Sequence, residues 1–414
     1  MDVVTGFGWA GKVSKISSTL AAKGGTLAGR AIAPAFRTIH QNKSMHPLSF
    51  RKLARLLAPL LLALGSMPTH SAGNRKVILD DDGFGIAQWM VLQAADTDVL
   101  GVTIVSGNAW RNENVARALR SLEIVGRADV PVVPGATFPL LNTEKETELW
   151  EAQYGKLVWK GAWMKKWVED TSQSLPAYHA PDVVPDLPEG NPTTKPSAEI
   201  AANFLIRKVH EFPGQVSIIA TGPLTNLALA QRLDPQFAGL AKELVYMGGS
   251  LNPRQQLGSL SAQQFAREFV NSPRREFNFR FDPEAASITL RAPWKKIVMV
   301  PVDPSTATEL TPTLLGRMSS GDTPLARALK KREPGFPLWD ELAAAVWLDP
   351  ALISKSVSLF VDADSRAGPG YGDTLSWAPG YEPGLGEQRE TVVLEMNVSG
   401  LEQLMTALMT RKAR

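Results

Sequence analysis

Short runs rich in Val, Ile and Leu recur along this chain, and stretches with helical spacing of apolar residues separate them. KVILDD (76–81) is followed by IAQWMVLQAA (86–95), VLGVTIVS (99–106) by NENVARALRSLEIVG (112–126), and QVSIIATG (215–222) by TNLALAQRL (225–233). VPVVPGA (130–136), ELVYMGG (243–249), KKIVMVPV (295–302), SVSLFVDA (356–363) and TVVLEMNV (391–398) are further strand candidates, the last leading into LEQLMTALM (401–409). Strands that alternate with helices predict an α/β fold: an open, mostly parallel sheet with helices on both faces. The runs are β-branched and nearly all apolar, as strands buried on both faces should be.

The first 72 residues break this pattern. They hold nine Lys/Arg against one acid, Asp2, which leaves 35 basic and 40 acidic residues in the rest, a balance of about −5. That balance argues against a nucleic-acid-binding body, which needs a basic face. From Met45 onward, Arg51, Lys52 and Arg55 precede LLAPLLLALG (56–65), an apolar run too short to span a bilayer, and Ser71 and Ala72 offer a cleavage site. The segment 45–72 therefore reads as a secretory signal peptide. It predicts export to a periplasmic or extracellular space and no stable membrane anchor after cleavage. Residues 1–44 become an N-terminal extension: either Met45 is the true start, or the extension is an acid-poor transit peptide. The domain proper is then 73–414. The chain has no cysteine, which excludes a thiol nucleophile, a disulfide framework and a Cys-based metal site. Residues 150–197, with WKGAWMKKWVED (159–170) and PAYHAPDVVPDLPEGNPTTKP (176–196), read as a long insertion or lid beside the sheet.

Three aspartates, Asp80, Asp81 and Asp82, close the first strand candidate, and Gly83 and Gly85 allow a sharp turn before the next helix. In an open parallel sheet, ligands bind beyond the carboxyl ends of the strands. Unpaired carboxylates crowded there repel one another, and a hard divalent cation removes that cost. An EF-hand loop starting at Asp80 would place Phe84 and Val91 at ligand positions, so that reading fails. An aspartyl phosphatase would want Thr or Val where Phe84 stands. A sugar-nucleotide transferase also uses D-x-D, and a solvated acidic turn needs no function at all.

The rest of the chain narrows the choice. VSIIATGPLTNLALAQRLDP (216–235), KELVYMGGS (242–250), EFNFRFDPEAA (276–286) and FPLWDELAAAVWLDP (336–350) follow the D-x-D strand in that order. Together they resemble the nucleoside hydrolases, the inosine-uridine-preferring N-ribohydrolase family, from about Lys76 to about Ala407, in a divergent branch with an acidic first strand and a tryptophan-containing insertion.

The resemblance implies a Rossmann-like sheet and hydrolysis of the N-glycosidic bond of ribonucleosides or related N-ribosides to ribose and free base. It implies a Ca²⁺ ion at the strand ends that binds the attacking water and the ribose diol. Asp82 matches the carboxylate that touches calcium and serves as general base, and Asp80 matches the motif's first aspartate, expected to hold the ion with it. Thr221 matches the threonine whose carbonyl completes the coordination, and Asp340 the late aspartate ligand. Glu276 and Asn278 match the pair that binds the ribose hydroxyls; Asn108 and Met247 match residues that face the sugar. Relatives are often dimers or tetramers, so a homo-oligomer is expected.

Bland readings stand beside these. Asp340 is well placed to cap the helix that follows, Asn108 to cap the helix after the second strand, and Met247 to fill core. Asn226 reads as a turn or cap residue.

The sequence departs from the family in two places. The usual motif D-x-D-P-G-x-D-D ends here in Ile86 and Ala87, so a bidentate calcium ligand and a ribose ligand are missing. Asp81 is an extra acid, but on a strand it points away from Asp82. The histidine that often precedes the late aspartate is Trp339, which can stack on a base but not protonate it. His210 reads as a surface residue, and His179, in the insertion, is expected away from the site. Ile86 and Ala87 support an alternative, a secreted nucleoside- or sugar-binding protein on the same fold without catalysis, whereas Asp82, Asp340, Glu276 and Asn278 together support the enzyme.

Overall fold

The computed structural model describes residues 74–168, 174–272 and 274–411; the expected extension at 1–44 and leader at 45–72 lie outside them. The strands are β1 (Arg75–Asp81), β2 (Thr97–Ile104), β3 (Val132–Pro134), β4 (Val216–Ala220), β5 (Glu243–Met247), β6 (Ile297–Val300), β7 (Ile353–Ala363), β8 (Thr374–Trp377) and β9 (Arg389–Met396). They form one sheet in the order β3-β2-β1-β4-β5-β6-β9-β7-β8. The pairs from β3 through β6 to β9 are parallel; β7 is antiparallel to both β9 and β8. The sheet is thus mostly parallel, as the alternation of runs predicts. Strand order reverses direction between β1 and β4, and such a switch point opens a crevice at the carboxyl ends.

The helices that build the two faces and the site are α1 (Ile86–Gln93), α2 (Arg111–Ile124), α3 (Glu144–Tyr154), α4 (Ala201–Glu211), α5 (Thr225–Leu233), α6 (Leu260–Asn271), α7 (Phe277–Phe281), α8 (Pro283–Leu290), α9 (Asp340–Leu348) and α10 (Val398–Met409). Alternation along β1 assigns its side chains to two cores. Val77 and Leu79 pack with α1, α9 and α10, through Met90, Leu342 and Met405. Ile78 packs on the other face with α4, α5 and α8, through Leu205, Leu227 and Leu290. Each fully buried aliphatic side chain contributes roughly 1.5–3 kcal/mol, which fixes the strand's register.

Two elements differ from expectation. The first half of β7 is exposed, because this strand joins the antiparallel outer part of the sheet, where one face meets water. Helix α6 is unheralded by a strong run. Ser259 caps it by accepting from the Ala262 N–H at 3.1 Å, and Ala262, Phe265 and Ala266 form its buried stripe.

The tryptophan-rich stretch follows α3, which Thr143 caps. Beyond one tight turn at Gly161–Trp163, its described residues up to 200 form no helix or strand. It is nevertheless anchored. Trp163 stacks on Phe281 with ring centroids 4.4 Å apart. Gly161 takes φ 56°, which lets the Ala162 N–H donate to the Gly107 carbonyl at 2.8 Å. Among the described residues no helix is long and apolar enough to cross a membrane.

Candidate functional site

The site begins where β1 ends. Its last ladder residue is Asp81, and Asp82 lies in the bend beyond it. Two glycines from neighbouring strand ends, Gly107 and Gly222, crowd the Asp82 side chain so closely that a Cβ at either position would collide with it. In this cradle Asp82 is fully buried. Its Oδ2 accepts from the Asn108 backbone N–H at 2.8 Å and its Oδ1 from Asn108 Nδ2 at 3.2 Å. Asn108 is oriented in turn by Trp159, whose Nε1 donates to Asn108 Oδ1 at 2.8 Å. An indole N–H can only donate, so this bond turns the amide's nitrogen toward Asp82. Asn108 does not cap α2; Trp110 holds the cap position.

The three aspartates go three ways. Asp80 Oδ1 accepts from Thr103 Oγ1 at 2.5 Å and from Asn226 Nδ2 at 2.8 Å. Asn226, expected as a turn residue, is buried and also receives the Ala136 N–H. Asp81 lies on the opposite face, where its Oδ1 accepts from Gln88 Nε2 at 2.6 Å and Thr221 Oγ1 at 2.9 Å. Burial pushes Asp80 up to about 7 and Asp81 up to about 6, against those hydrogen bonds. Among the described residues the second oxygen of each is buried without a hydrogen-bond partner.

The opposite wall comes from α7 and α9. Glu276 sits at the N-terminus of α7; its Oε1 accepts from the Asn278 N–H at 2.7 Å, and its Oε2 from Gly249 and Phe279 N–H groups at 2.9 and 3.0 Å. Asn278 Nδ2 donates to the carbonyls of Thr221 and Met247, both at 3.1 Å. Asp340 is the first residue of α9, Trp339 occupies the cap position, and no side chain caps the helix. The Asp340 carboxylate therefore does not serve as a cap and faces the cavity.

Asn108, Thr221, Met247, Glu276, Asn278, Trp339 and Asp340 all line one cavity of about 430 Å³. Asp82 lies beneath Asn108, neither Asp82 nor Asp80 is part of the lining, and Asp80, expected as a ligand of the ion, is held by Thr103 and Asn226 instead. Asp82 is held well above the usual carboxylate range, first by burial, then by Asp81, with Glu276 adding. Asp340 is also held well above it by burial and by Glu341, Asp82, Asp81 and Glu276. Burial raises Glu276, opposed by its N–H donors. Among the described residues no lysine, arginine or histidine forms an ion pair with Asp82 or Asp340.

Unneutralised carboxylates, a main-chain carbonyl and orphaned carboxyl oxygens are the donors a hard divalent cation takes. The residues fit such an ion in kind. Among the described residues, however, no three His, Cys, Asp or Glu side chains stand together to hold it alone, so a carbonyl and solvent would have to complete its shell. Ile86 and Ala87 are buried in the core and add no oxygen.

Away from the strand ends the cavity wall is aromatic. Trp159 and Trp167 have centroids 5.4 Å apart, Trp167 meets Phe265 edge-on at 5.7 Å, and Phe265 meets Trp339 at 6.0 Å. Glu113, Arg117, Glu268 and Arg332 also line it; the sequence reading did not single them out. Glu113 is tied to Arg117 at 2.6 Å and to His179 Nε2 at 2.9 Å. His179 thus stands one residue behind the cavity wall. His210 is half-exposed and pairs with Asp234.

Residues 77–403 match the family described as inosine-uridine preferring nucleoside hydrolase. An uncharacterised protein of Schizosaccharomyces pombe is 28% identical over 322 residues, which cover 73% of this chain and 76% of that protein. Uridine nucleosidase 1 of Arabidopsis thaliana is 33% identical over 218 residues, 52% of this chain and 53% of that protein, so the match spans about half of this plant relative. The structure of a plant nucleoside hydrolase superposes with a TM-score of 0.59 at 23% identity, covering 82% of this chain and 99% of that one; at that identity it speaks for the fold. The chain belongs to the inosine-uridine preferring nucleoside hydrolase family, and by that membership it is a nucleoside N-ribohydrolase.

Proposed function

We propose that the protein cleaves the N-glycosidic bond of a ribonucleoside in the cavity at the ends of β1, β4 and β5, with Asp82 accepting the proton of the attacking water. Water oxygen bonds to C1′ of the ribose as the C1′–N bond breaks. The bonding pair leaves with the base, which takes up a proton from solvent, and the proton lost by water goes to Asp82. The transition state carries positive charge on the sugar ring. With a divalent cation bound, which would favour their ionised forms, Asp82, Asp340 and Glu276 would supply fixed negative charge on its side of the cavity. Glu276 and Asn278 receive the ribose hydroxyls, Asn108 and Met247 flank the sugar, and Trp339 stacks on the base. Asp80, tied to Thr103 and Asn226, supports the strand end from behind.

Asp82, Asp340 and the Thr221 carbonyl are the donors that would hold Ca²⁺. When bound, the ion would make a water more acidic and orient it against the sugar diol. The observation that carries this reading is the meeting of Asp340, Thr221, Glu276 and Asn278 in one cavity over the cradled Asp82. The test is ribose release from a panel of nucleosides, with Ca²⁺ supplied or chelated, by wild type and Asp82→Asn. Release that requires Ca²⁺ and disappears in the variant supports the mechanism.

Ile86 and Ala87 favour a second reading, a nucleoside-binding protein without catalysis. Intact nucleoside recovered from a saturated, Ca²⁺-loaded protein would establish it. The segment 45–72 supports export of the domain; N-terminal sequencing of the mature protein would show a start near residue 73 if so, and a retained Met1 or Met45 would overturn it.

A further inference from the structure

One acid stands among the rings of the aromatic wall. Glu268 follows Phe265 by three residues on α6, so the two share a face of that helix. Glu268 is 8% exposed and lines the cavity. Its Oε2 accepts from the Val158 N–H at 2.9 Å, which fixes the carboxylate. Its Oε1 is buried and accepts from no group among the described residues. Among the described residues no lysine, arginine or histidine forms an ion pair with it. A buried carboxylate oxygen without a donor is costly, and native structures rarely tolerate one unless something binds there.

We infer that Glu268 is a specificity residue: its Oε1 accepts a hydrogen bond from an N–H group on the edge of the bound nucleobase. This rests on the nucleoside reading of the cavity. The neighbours of Glu268 decide for the base over the sugar. Phe265, on the same helix face, touches Trp167 and Trp339, and a planar base is the part of a nucleoside that rings accept. The groups suited to ribose hydroxyls, Glu276 and Asn278, belong to α7 and the strand ends. The cavity would then select bases that carry a ring N–H, as uracil and hypoxanthine do, over analogues methylated there.

The test compares uridine with N3-methyluridine, which keeps the ring but lacks that N–H, and inosine with N1-methylinosine. 5′-Deoxyuridine, which keeps the base but lacks a sugar hydroxyl, is the control. Base release and calorimetric binding are measured with Ca²⁺ for wild type and Glu268→Gln. Glutamine keeps the size and takes the Val158 N–H through its oxygen, which turns its NH₂ to the cavity. Wild type is expected to prefer the unmethylated nucleoside by about tenfold or more in kcat/KM, and Glu268→Gln by no more than about threefold. A preference that persists in Glu268→Gln, or is missing in wild type, overturns the inference. So does a penalty on 5′-deoxyuridine that vanishes in the variant, because the donor would then be the sugar. A preference in binding that depends on Glu268, without base release, would overturn the hydrolase reading and leave Glu268 standing. Base release without any preference would do the reverse, and failure to bind or cleave would overturn both.

Discussion

At the strand-end half of the cavity the polar groups are held from several sides, whereas the aromatic half leans on shape. Asp82 receives two hydrogen bonds from Asn108 and sits between two glycines; Glu276 receives three N–H groups; Asn278 spans two carbonyls. Most of these partners are main-chain groups of the loops at the strand ends and of α7. The aromatic half is assembled from α6 and the tryptophan-rich segment, and its acid, Glu268, keeps an unused oxygen. The contrast fits a division of labour. Chemistry needs groups that do not move as charge develops, while recognition needs a partner that only the ligand supplies.

The largest expected effect lies at the rigid half. Asp82→Asn should lower kcat for ribose release by about 10²–10⁴-fold, the usual worth of a positioned general base, while nucleoside binding persists. A variant within tenfold of wild type would remove Asp82 from the chemistry. Next comes Asn278→Ala, which frees the Thr221 and Met247 carbonyls it now ties. A loss of roughly 10²-fold in kcat/KM is expected from the resulting misplacement. If only KM rises and kcat is kept, Asn278 contributes uniform binding and no positioning.

Trp159→Phe asks whether the two halves are coupled. The ring remains, but the bond to Asn108 Oδ1 is lost, so the amide can turn and release Asp82. About a tenfold fall in kcat is expected, with unchanged base preference. A change in base preference alone would mean that Trp159 belongs only to the aromatic half.

The rigid half was more legible in the sequence than the aromatic half, for a physical reason. Thr221, Glu276, Asn278 and Asp340 follow apolar runs or open helices, and the strand-end rule for parallel sheets sends such residues to one crevice. Alternation also separated Asp80 from Asp81 correctly. It could not separate Asp80 from Asp82, because β1 ends at Asp81 and Asp82 leaves the ladder. Asn226 reads locally as a turn residue, yet its partners, Asp80 and Ala136, lie 146 and 90 positions away. Glu268 meets Val158 across 110 positions, and no local pattern encodes that contact. The helix that presents it does carry a cap and an apolar stripe, signals that allow α6 itself to be read.

The smallest expected effect concerns stability, at Asp282, which ties the loop before α3 to α5 and α8. Asp282 is fully buried. Its Oδ2 accepts from Thr225 Oγ1 at 2.6 Å and from the Leu140 N–H at 3.0 Å, and its Oδ1 from the Ala285 N–H at 3.1 Å. It thereby joins the start of α8, just after α7, to the chain that leads into α3. Burial pushes its carboxyl up to about 6, against those three hydrogen bonds, from an ordinary 3.8. A carboxyl raised on folding binds its proton more tightly in the native state, so its contribution to stability is complete below about pH 4. It is lost as pH rises through about 6, on the order of 3 kcal/mol at neutral pH. Asp80 and Asp81 titrate in the same window, so urea unfolding must be compared between wild type and Asp282→Asn at pH 4.5 and 7.5. The variant, uncharged at both, loses hydrogen bonds and is less stable throughout, but its deficit should be larger at pH 4.5 than at 7.5. A deficit that grows toward pH 7.5 would mean that the three donors outweigh burial and hold Asp282 ionised, making this tether as rigidly satisfied as Glu276.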